Sequence, residues 1–378
     1  MRQNKKWKRL ETAGLAVCLL LASPAAAYAG SPEFARTAEE WARLRDNVLE
    51  YEEIEDLIHE YNTTVLNNEQ EYKKDIAKSA EDIVDDILDE ADYYRSLASD
   101  ADSTVEELSY EAQARSAENT AENNVDDGQS KYLTYELAEK QIVMQAQSSM
   151  NNWYQLQNTL RSTKKSREIL EASLASAQSR MSLGMATYSD VLNASQQLTD
   201  LDATIIALES QIETARKSLI LMMGWSQDAN PEIRALPEPD LTRIDQIDTA
   251  ADTAKALEND YTLKIDTRKL DNATNDTVRA IYVEAINNDK RQIPAAVDQA
   301  YRSLLLARDS YNQAELAYQI AQKNYTAAQT KYSLGTIGRT EFLSYENSLV
   351  SAETARDNAK LSILSAQESY DWVVRGVR

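Results

Sequence analysis

The chain has 378 residues, with 62 acidic and 40 basic side chains and a formal net charge of −22. A surface this acidic repels nucleic acid and anionic lipid headgroups, so we expect no nucleic-acid partner. The sequence is 43% hydrophobic, which is too apolar for a solvated acidic tail. Its few glycines and prolines leave long stretches of helix-forming residues between them, and these predict a folded, all-α protein.

The first 29 residues have the three parts of a secretory signal peptide. A basic start is followed by an apolar run from Ala13 to Ala22, and Ala27-Tyr28-Ala29 has the small-x-small pattern of a cleavage site. The run is shorter than the roughly 20 residues of a membrane span. We therefore expect residues 1–29 to be removed on export. Removing their five basic residues and one acid would leave a charge of −26, and losing Cys18 would exclude disulfides.

Heptad spacing predicts several helices in the first half of the chain. Apolar residues seven apart run from Leu44 to Tyr72, and Ser103 with Glu106 has the pattern of a capping box. The stretch from Asn123 to Gly128 is predicted to be a turn. The predicted helices of this half cover residues 37–99, 103–123, 130–183 and 184–224.

The second half is predicted to follow a proline-containing linker at residues 231–243. Tyrosines stand seven residues apart from Tyr311 to Tyr332, and an alanine stands three residues after each of the first three. This pattern is typical of a close helix–helix seam. Pro294 suits the first turn of a helix, so a turn is expected just before it. The predicted segments are a helical region over 244–286, a turn at 287–289, and helices over 294–335 and 340–374.

Both halves contain the same ending to a long helix. Ser182-Leu183-Gly184 in the first half matches Ser333-Leu334-Gly335 in the second. We therefore expect two tandem copies of one long helical hairpin. The predicted organisation is a signal peptide at 1–29, a first helical repeat at 30–230, a linker at 231–243 and a second helical repeat at 244–378.

These repeated turns, and the heptad helix that follows each of them, resemble the TolC-type outer-membrane efflux proteins. The resemblance covers nearly all of the chain after the leader, although its motif is short. It implies two long antiparallel coiled-coil hairpins per subunit, three subunits around a hollow helical cylinder, and turns that form the cylinder's lower rim. It also implies a homotrimer that works with a periplasmic adaptor protein and an inner-membrane transporter.

The resemblance implies functional roles for residues at both turns. The matched residues are Gly184, Gly335, Leu183 and Leu334 for adaptor docking, and Asp190, Tyr332 and Glu341 for the gate at the pore rim. Arg339, which stands two residues beyond the position of the family's rim arginine, is assigned to the gate with them. Ile337 replaces a rim arginine of the family and Ser344 replaces a second rim carboxylate. We therefore expect a gate that is weaker or differently connected.

The sequence departs from the family where two β-hairpins per subunit are typical. The corresponding stretches, residues 99–135 and about 263–294, lack the alternating pattern of membrane strands. Arg279 to Ile286 is the strongest strand candidate, and it is short. We expect a divergent relative that lacks the barrel hairpins and has little or no β-structure, and the sequence leaves membrane contact open.

Nothing in the sequence indicates an enzyme, a cofactor or a metal site. His59, the only histidine, lies in a charged helical stretch without a candidate nucleophile, and we interpret it as a solvent-facing residue. Asn123 to Gly128 superficially resembles a calcium loop. However, Val125 occupies a ligand position and Thr134 stands where the twelfth-position glutamate belongs.

Three hypotheses for the function remain open. The first is a TolC-like efflux or secretion duct that docks an adaptor at its turns, located in the outer membrane or periplasm, or on the cell surface of a single-membrane envelope. The second is an exported coiled-coil scaffold of the cell envelope without transport activity. The third is a secreted adaptor-like helical hairpin. Oligomeric mass separates the first two, because a duct requires several copies around an axis.

Overall fold

The computed structural model describes residues 36–378, so the predicted signal peptide lies outside the described residues. Residues up to Asp46 and residues from Asn47 onward form separate units. In the first unit, helix α1 (Ala38–Leu44) begins with a capping box. The Glu40 backbone N–H donates to the Thr37 hydroxyl at 3.2 Å, and the Thr37 N–H donates to the Glu40 carboxylate at 2.6 Å.

The second unit is almost entirely helical in its described residues. Its only strands there, β1 (Val48–Leu49) and β2 (Glu232–Ile233), pair in parallel, and a 3₁₀ turn follows at Tyr51–Glu53. Its helices are α2 (Ile54–Tyr61), α3 (Thr63–Asp75), α4 (Ala80–Ser99), α5 (Thr104–Glu122), α6 (Gly128–Ser182), α7 (Tyr188–Met222), α8 (Leu241–Ile244), α9 (Thr249–Asn259), α10 (Tyr261–Asn272), α11 (Asp276–Ser333) and α12 (Arg339–Val374). The predicted all-α class is confirmed.

Four long helices form the main body of this unit. At 55 and 58 residues, α6 and α11 are each roughly 80–90 Å long. Helix α7 packs on α6, α12 packs on α11, and α6 packs on α12. The predicted seams lie between these helices, as Ile205 and Leu219 of α7 are buried while Ile206 is exposed. The predicted long hairpins are therefore confirmed.

The tyrosine seam of α11 also faces its partner helix. Ala328 is buried, and the rings of Tyr325 and Tyr332 lie 5.6 and 4.8 Å from the Phe342 ring of α12. The Arg356 guanidinium of α12 lies 4.0 Å from the centre of the Tyr318 ring. This repeated contact between large rings and small residues explains why the heptad pattern predicts the pairing of α11 with α12.

The prediction of one helix over residues 37–99 is wrong, because caps interrupt it. The Asn62 side chain accepts hydrogen bonds from the N–H groups of Thr64 and Val65, which ends α2 and begins α3. Ser79 and Asp82 form a capping box that begins α4. The predicted break near Ser99 is confirmed, and so is the turn between α5 and α6 at 123–127.

The predicted turn at residues 287–289 is also wrong, because α11 runs through it without interruption. Ile286 and Ile293, one heptad apart, are both buried in the core shared with α12, and the continuous helix places both on that face. Pro294 removes one helical hydrogen bond, a cost that this packing offsets. The chain breaks earlier instead, at residues 273–275, where Asn275 caps α11.

The two stretches that depart from the family pattern are helical. Residues 99–135 contain α5 and the start of α6, and residues 263–294 contain α10 and the start of α11. The strand candidate Arg279–Ile286 therefore lies inside α11. Within residues 36–378 no helix combines the length and the apolarity needed to cross a membrane.

The interpretation of His59 as a solvent-facing residue is wrong. Its side chain is 11% exposed, and Nδ1 lies 2.9 Å from the carboxylate of Glu139, which is 4% exposed. Burial by itself raises the pKa of Glu139. Hydrogen bonds from His59 and Tyr135 and the charge of Lys140 outweigh it, so the pKa of this carboxyl lies below its ordinary value. The buried pair joins α2 to α6.

A carboxyl whose pKa is lower in the folded state stabilises the fold at neutral pH, and this contribution is lost as the pH falls through the folded-state pKa. We therefore expect Glu139→Gln to lower the free energy of unfolding by about 2 kcal/mol at pH 7. The difference from the unmodified protein should shrink below about pH 4. Urea denaturation at several pH values measures this. Glu258→Gln, at an exposed position, is the control, and a difference independent of pH would contradict the assignment.

Candidate functional site

The two glycine turns lie at the same end of the second unit. Helices α6 and α12 run antiparallel: the Asn151 side chain donates to the Leu361 carbonyl at 2.8 Å, and the Ser166 hydroxyl lies 3.1 Å from the Asn347 side-chain oxygen. The end of α6 and the beginning of α12 are therefore neighbours. We call the turns at residues 183–187 and 334–338 the tip turns.

The first tip turn closes α6 with a Schellman motif. The Gly184 N–H donates to the Met181 carbonyl at 2.9 Å, and the Met185 N–H donates to the Arg180 carbonyl at 2.8 Å. This hydrogen-bond pattern requires a left-handed residue after the helix, and Gly184 has a φ of +69°. The glycine is therefore required by the turn itself.

The second tip turn has the same geometry. The Gly335 N–H donates to the Tyr332 carbonyl at 3.0 Å, the Thr336 N–H donates to the Lys331 carbonyl at 2.9 Å, and Gly335 has a φ of +71°. A Cβ atom at Gly184 or Gly335 would meet no heavy atom within 4 Å. Both turns therefore present bare, open backbone to their surroundings.

Large apolar side chains surround this open backbone. Leu183 and Leu334, each directly before its glycine, are each 73% exposed. Met185 and Tyr188 are also exposed beside the first turn, although neither belongs to the motif shared by the two turns. Both lie within four residues after Gly184, and this closeness to the turn is the only feature of the sequence that could have predicted their exposure. A solvent-exposed group of this kind is typical of a protein-binding surface.

Asp190 caps the helix that follows the first tip turn. Its carboxylate accepts hydrogen bonds from the N–H and the hydroxyl of Thr187, both at 2.8 Å, and the Asp190 N–H donates to that hydroxyl. These bonds from Thr187 hold the pKa of Asp190 below its ordinary value. The carboxylate is therefore ionised and held in place at the beginning of α7.

Tyr332 does not pair with Asp190 in the described chain. Its ring stacks on Phe342 with an angle of 9° between the ring planes. The pairing of these two residues in the gate therefore stays a prediction.

The other two predicted rim residues begin α12. Arg339 is its first residue, Glu341 lies in its first turn, and both are exposed. A carboxylate is favoured at a helix N-terminus and a guanidinium is not. The preceding Gly338 provides no side-chain cap, so the charge of Glu341 compensates the exposed N–H groups there. Whether these charges control passage stays a prediction.

The described residues contain no group of three or more histidine, cysteine, aspartate or glutamate side chains arranged to hold a metal ion. The tip turns present open backbone, exposed apolar side chains and the hydrogen-bonded carboxylate of Asp190. Such a surface can bind a protein or line an opening.

Comparison with solved structures identifies the fold. The outer-membrane channel OprN aligns with a TM-score of 0.58 at 11% identity, over 89% of this chain and 92% of that chain. A membrane protein from Pseudomonas aeruginosa aligns with a TM-score of 0.54 at 11% identity, over 86% and 93%. The CmeC outer membrane channel of Campylobacter jejuni aligns with a TM-score of 0.52 at 12% identity, over 71% and 68%.

The chain therefore has the fold of the TolC-type outer-membrane channels, which confirms the resemblance at the level of fold. No protein-family model matches the chain, and no curated protein matches its sequence.

Proposed function

We propose that the chain is one subunit of an export duct in the cell envelope, the outer conduit of a tripartite exporter. The observation that carries the proposal is the alignment with the outer-membrane channel OprN over nearly the full length of both chains. The two open tip turns support it, because both halves repeat the same exposed geometry at one end. The chain would carry no catalysis of its own, and a partner transporter would drive passage.

A homotrimer is proposed because two long helices expose apolar faces in the single chain. Leu192 and Ile206 lie 14 residues apart on α7, and Leu306 and Ile320 lie 14 residues apart on α11, so each pair shares one face of its helix. Their exposed fractions range from 52 to 69%. Neighbouring copies placed side by side would bury these faces and leave an axial space between them.

We expect the chain without its leader to have the mass of a trimer in sedimentation analysis, and ion conductance in a planar bilayer measures whether the assembly inserts into a membrane. Replacing Ile206 and Ile320 together with glutamate should dissociate the trimer, because it places charge in each buried face. Gln141→Glu, an exposed position on α6, is the control. A monomer without conductance would contradict the duct and favour the envelope scaffold.

The tip turns are the proposed docking site for an envelope adaptor, with an inner-membrane transporter beyond it. Leu183 and Leu334 would serve as apolar anchors, while the open backbone at Gly184 and Gly335 allows close approach of a partner helix. Hydrophobic anchors near bare backbone suit the tip of a helical hairpin, since both the side-chain and the main-chain groups can be contacted.

The proposed gate consists of Asp190, Tyr332, Glu341 and Arg339 at the rim formed by the tip turns. In a trimer each carboxylate would form a ring of three like charges, and such rings favour cations. The strongly negative charge of the whole chain also favours cations. The exposed positions of Asp190 and Glu341 support this role.

A further inference from the structure

The hairpin of α4 and α5 lies at the end of the second unit opposite the tip turns. Its base is fixed where α6 begins, because the Gly128 N–H donates to the Lys78 carbonyl at 2.9 Å. The Asn272 side chain donates to the Val125 carbonyl at 2.9 Å, which ties the same base to the end of α10. Since α6 ends at the first tip turn, its beginning and the hairpin mark the other end.

Beyond this base, α4 and α5 pack extensively only against each other. Their seam consists mainly of small residues, with Ala91 and Ala98 of α4 and Ala114 and Ala121 of α5 all buried. Helix α4 has 20 residues and is therefore about 30 Å long. The pair forms an arm of that length whose outer faces no other element of the described chain covers extensively.

The outer faces of this arm expose four large apolar side chains. Val105 is 78% exposed and Leu108 is 60% exposed, and a spacing of three residues places them on one face of α5 near the far end of the hairpin. Tyr93 and Leu88 of α4 are 60 and 40% exposed. The small alanine seam leaves these larger side chains outside, where a binding partner could cover them.

The charge of the arm restricts what that partner can be. Residues 80–122 contain 14 acidic and two basic residues, a net charge of −12 in a chain of −22. Both basic residues are already paired, Arg95 with Glu118 and Arg115 with Glu111. This charge repels anionic lipid and a second copy of the same arm, and it attracts a basic surface.

We propose that the α4–α5 hairpin is a docking arm for a protein with a basic surface and an apolar centre. The acidic residues of the arm would steer and orient the partner, and Val105 and Leu108 would be buried in the contact. The assignment places a second binding site at the end opposite the tip turns, and it does not depend on whether those turns bind an adaptor.

An 18-residue amphipathic peptide of leucine and lysine is a suitable probe, with a leucine–glutamate peptide for comparison. Fluorescence anisotropy with the full chain should show binding of the first peptide only. The variant Asp85→Asn/Asp89→Asn/Glu107→Gln should weaken this binding about tenfold or more. The matched control Asp200→Asn/Asp228→Asn/Glu258→Gln removes the same charge from exposed positions outside the arm and should change it less than about twofold.

The double variant Val105→Ser/Leu108→Ser should also weaken peptide binding about tenfold, while helical content stays unchanged because both side chains are exposed. Equal weakening by the two charge variants would overturn the proposal, since binding would then follow net charge alone. An unchanged affinity after the apolar substitutions would overturn it as well. A fall in oligomeric mass would show that a second copy covers the arm.

Discussion

Gly224→Ala is expected to lower the free energy of unfolding by about 3 kcal/mol or more. Gly224 follows α7 with a φ of +80°, a conformation that alanine adopts only with strain. A Cβ atom there would lie 2.3 Å from the Tyr61 carbonyl oxygen. The Asn62 side chain donates to the Met222 carbonyl at 2.8 Å, so the two backbone segments are held together and cannot easily separate.

Gly184→Ala is the matched control for this prediction. Gly184 has a similar φ of +69°, but nothing lies within 4 Å of the added methyl group. Gly184→Ala should therefore lower the free energy of unfolding only through backbone strain, by about 1 kcal/mol. Urea denaturation followed by circular dichroism measures both variants. If both variants lose the same free energy of unfolding, the close contact between Gly224 and Tyr61 adds nothing to the cost of the strained backbone.

The same junction occurs in the second half of the chain. A Cβ atom at Gly376 would lie 2.4 Å from the Asn259 carbonyl, and the Asn259 side chain donates to the Val374 carbonyl at 3.1 Å. In the first half, the break between α2 and α3 packs against the end of α7 at Gly224. In the second half, the break between α9 and α10 packs in the same way against the end of α12 at Gly376. These matched contacts support the predicted duplication, whose boundaries at 30–230 and 244–378 stay a prediction.

The long helices and their pairing could be predicted from sequence because the information is local and periodic. Val191 to Leu219 repeats every seven residues on α7, and only a helix packed on another helix gives that spacing. The tip turns were predictable for a similar reason. A left-handed residue must end each helix, and glycine after a heptad run is its local signal.

The interruptions could not be predicted from periodicity, because distant contacts decide them. The heptads from Leu44 to Tyr72 continue across Asn62, whose side chain ends the helix while donating to a carbonyl 160 residues away. The uninterrupted helix around Pro294 likewise depends on burial against α12. The burial of His59 could not be predicted from its neighbours in sequence, because its partner Glu139 lies on another helix.

The candidate site was predicted unevenly for the same reason. The glycine turns themselves could be predicted from the repeated Ser-Leu-Gly ending, and the pattern Thr187-x-x-Asp190 indicates the capping box that Asp190 completes, whereas the docking role of the turns stays a prediction. A gate between Asp190 and Tyr332 is different, because it requires a contact between two separate long helices, α7 and α11, and the local spacing of residues does not predict such a contact.

Gly335→Val is expected to reduce cross-linking of the tip turn to the proposed adaptor about tenfold or more. Valine is strongly disfavoured at a φ of +71°, so the Schellman turn must change its backbone path. That change would shift Leu334, the proposed apolar anchor. Because nothing lies within 4 Å of the added side chain's Cβ, helical content should stay the same. A photo-cross-linking residue at Thr336, used in cells, measures the product.

Gly338→Val, three residues away, is the matched control. Gly338 also has open space around it, but its φ of −80° and ψ of 165° suit valine, so cross-linking should be retained. Identification of the cross-linked protein by mass spectrometry as an envelope adaptor completes the test. If Gly335→Val cross-links as well as Gly338→Val does, the turn geometry is not what the partner binds. Loss in both variants would instead indicate that any added bulk blocks the approach.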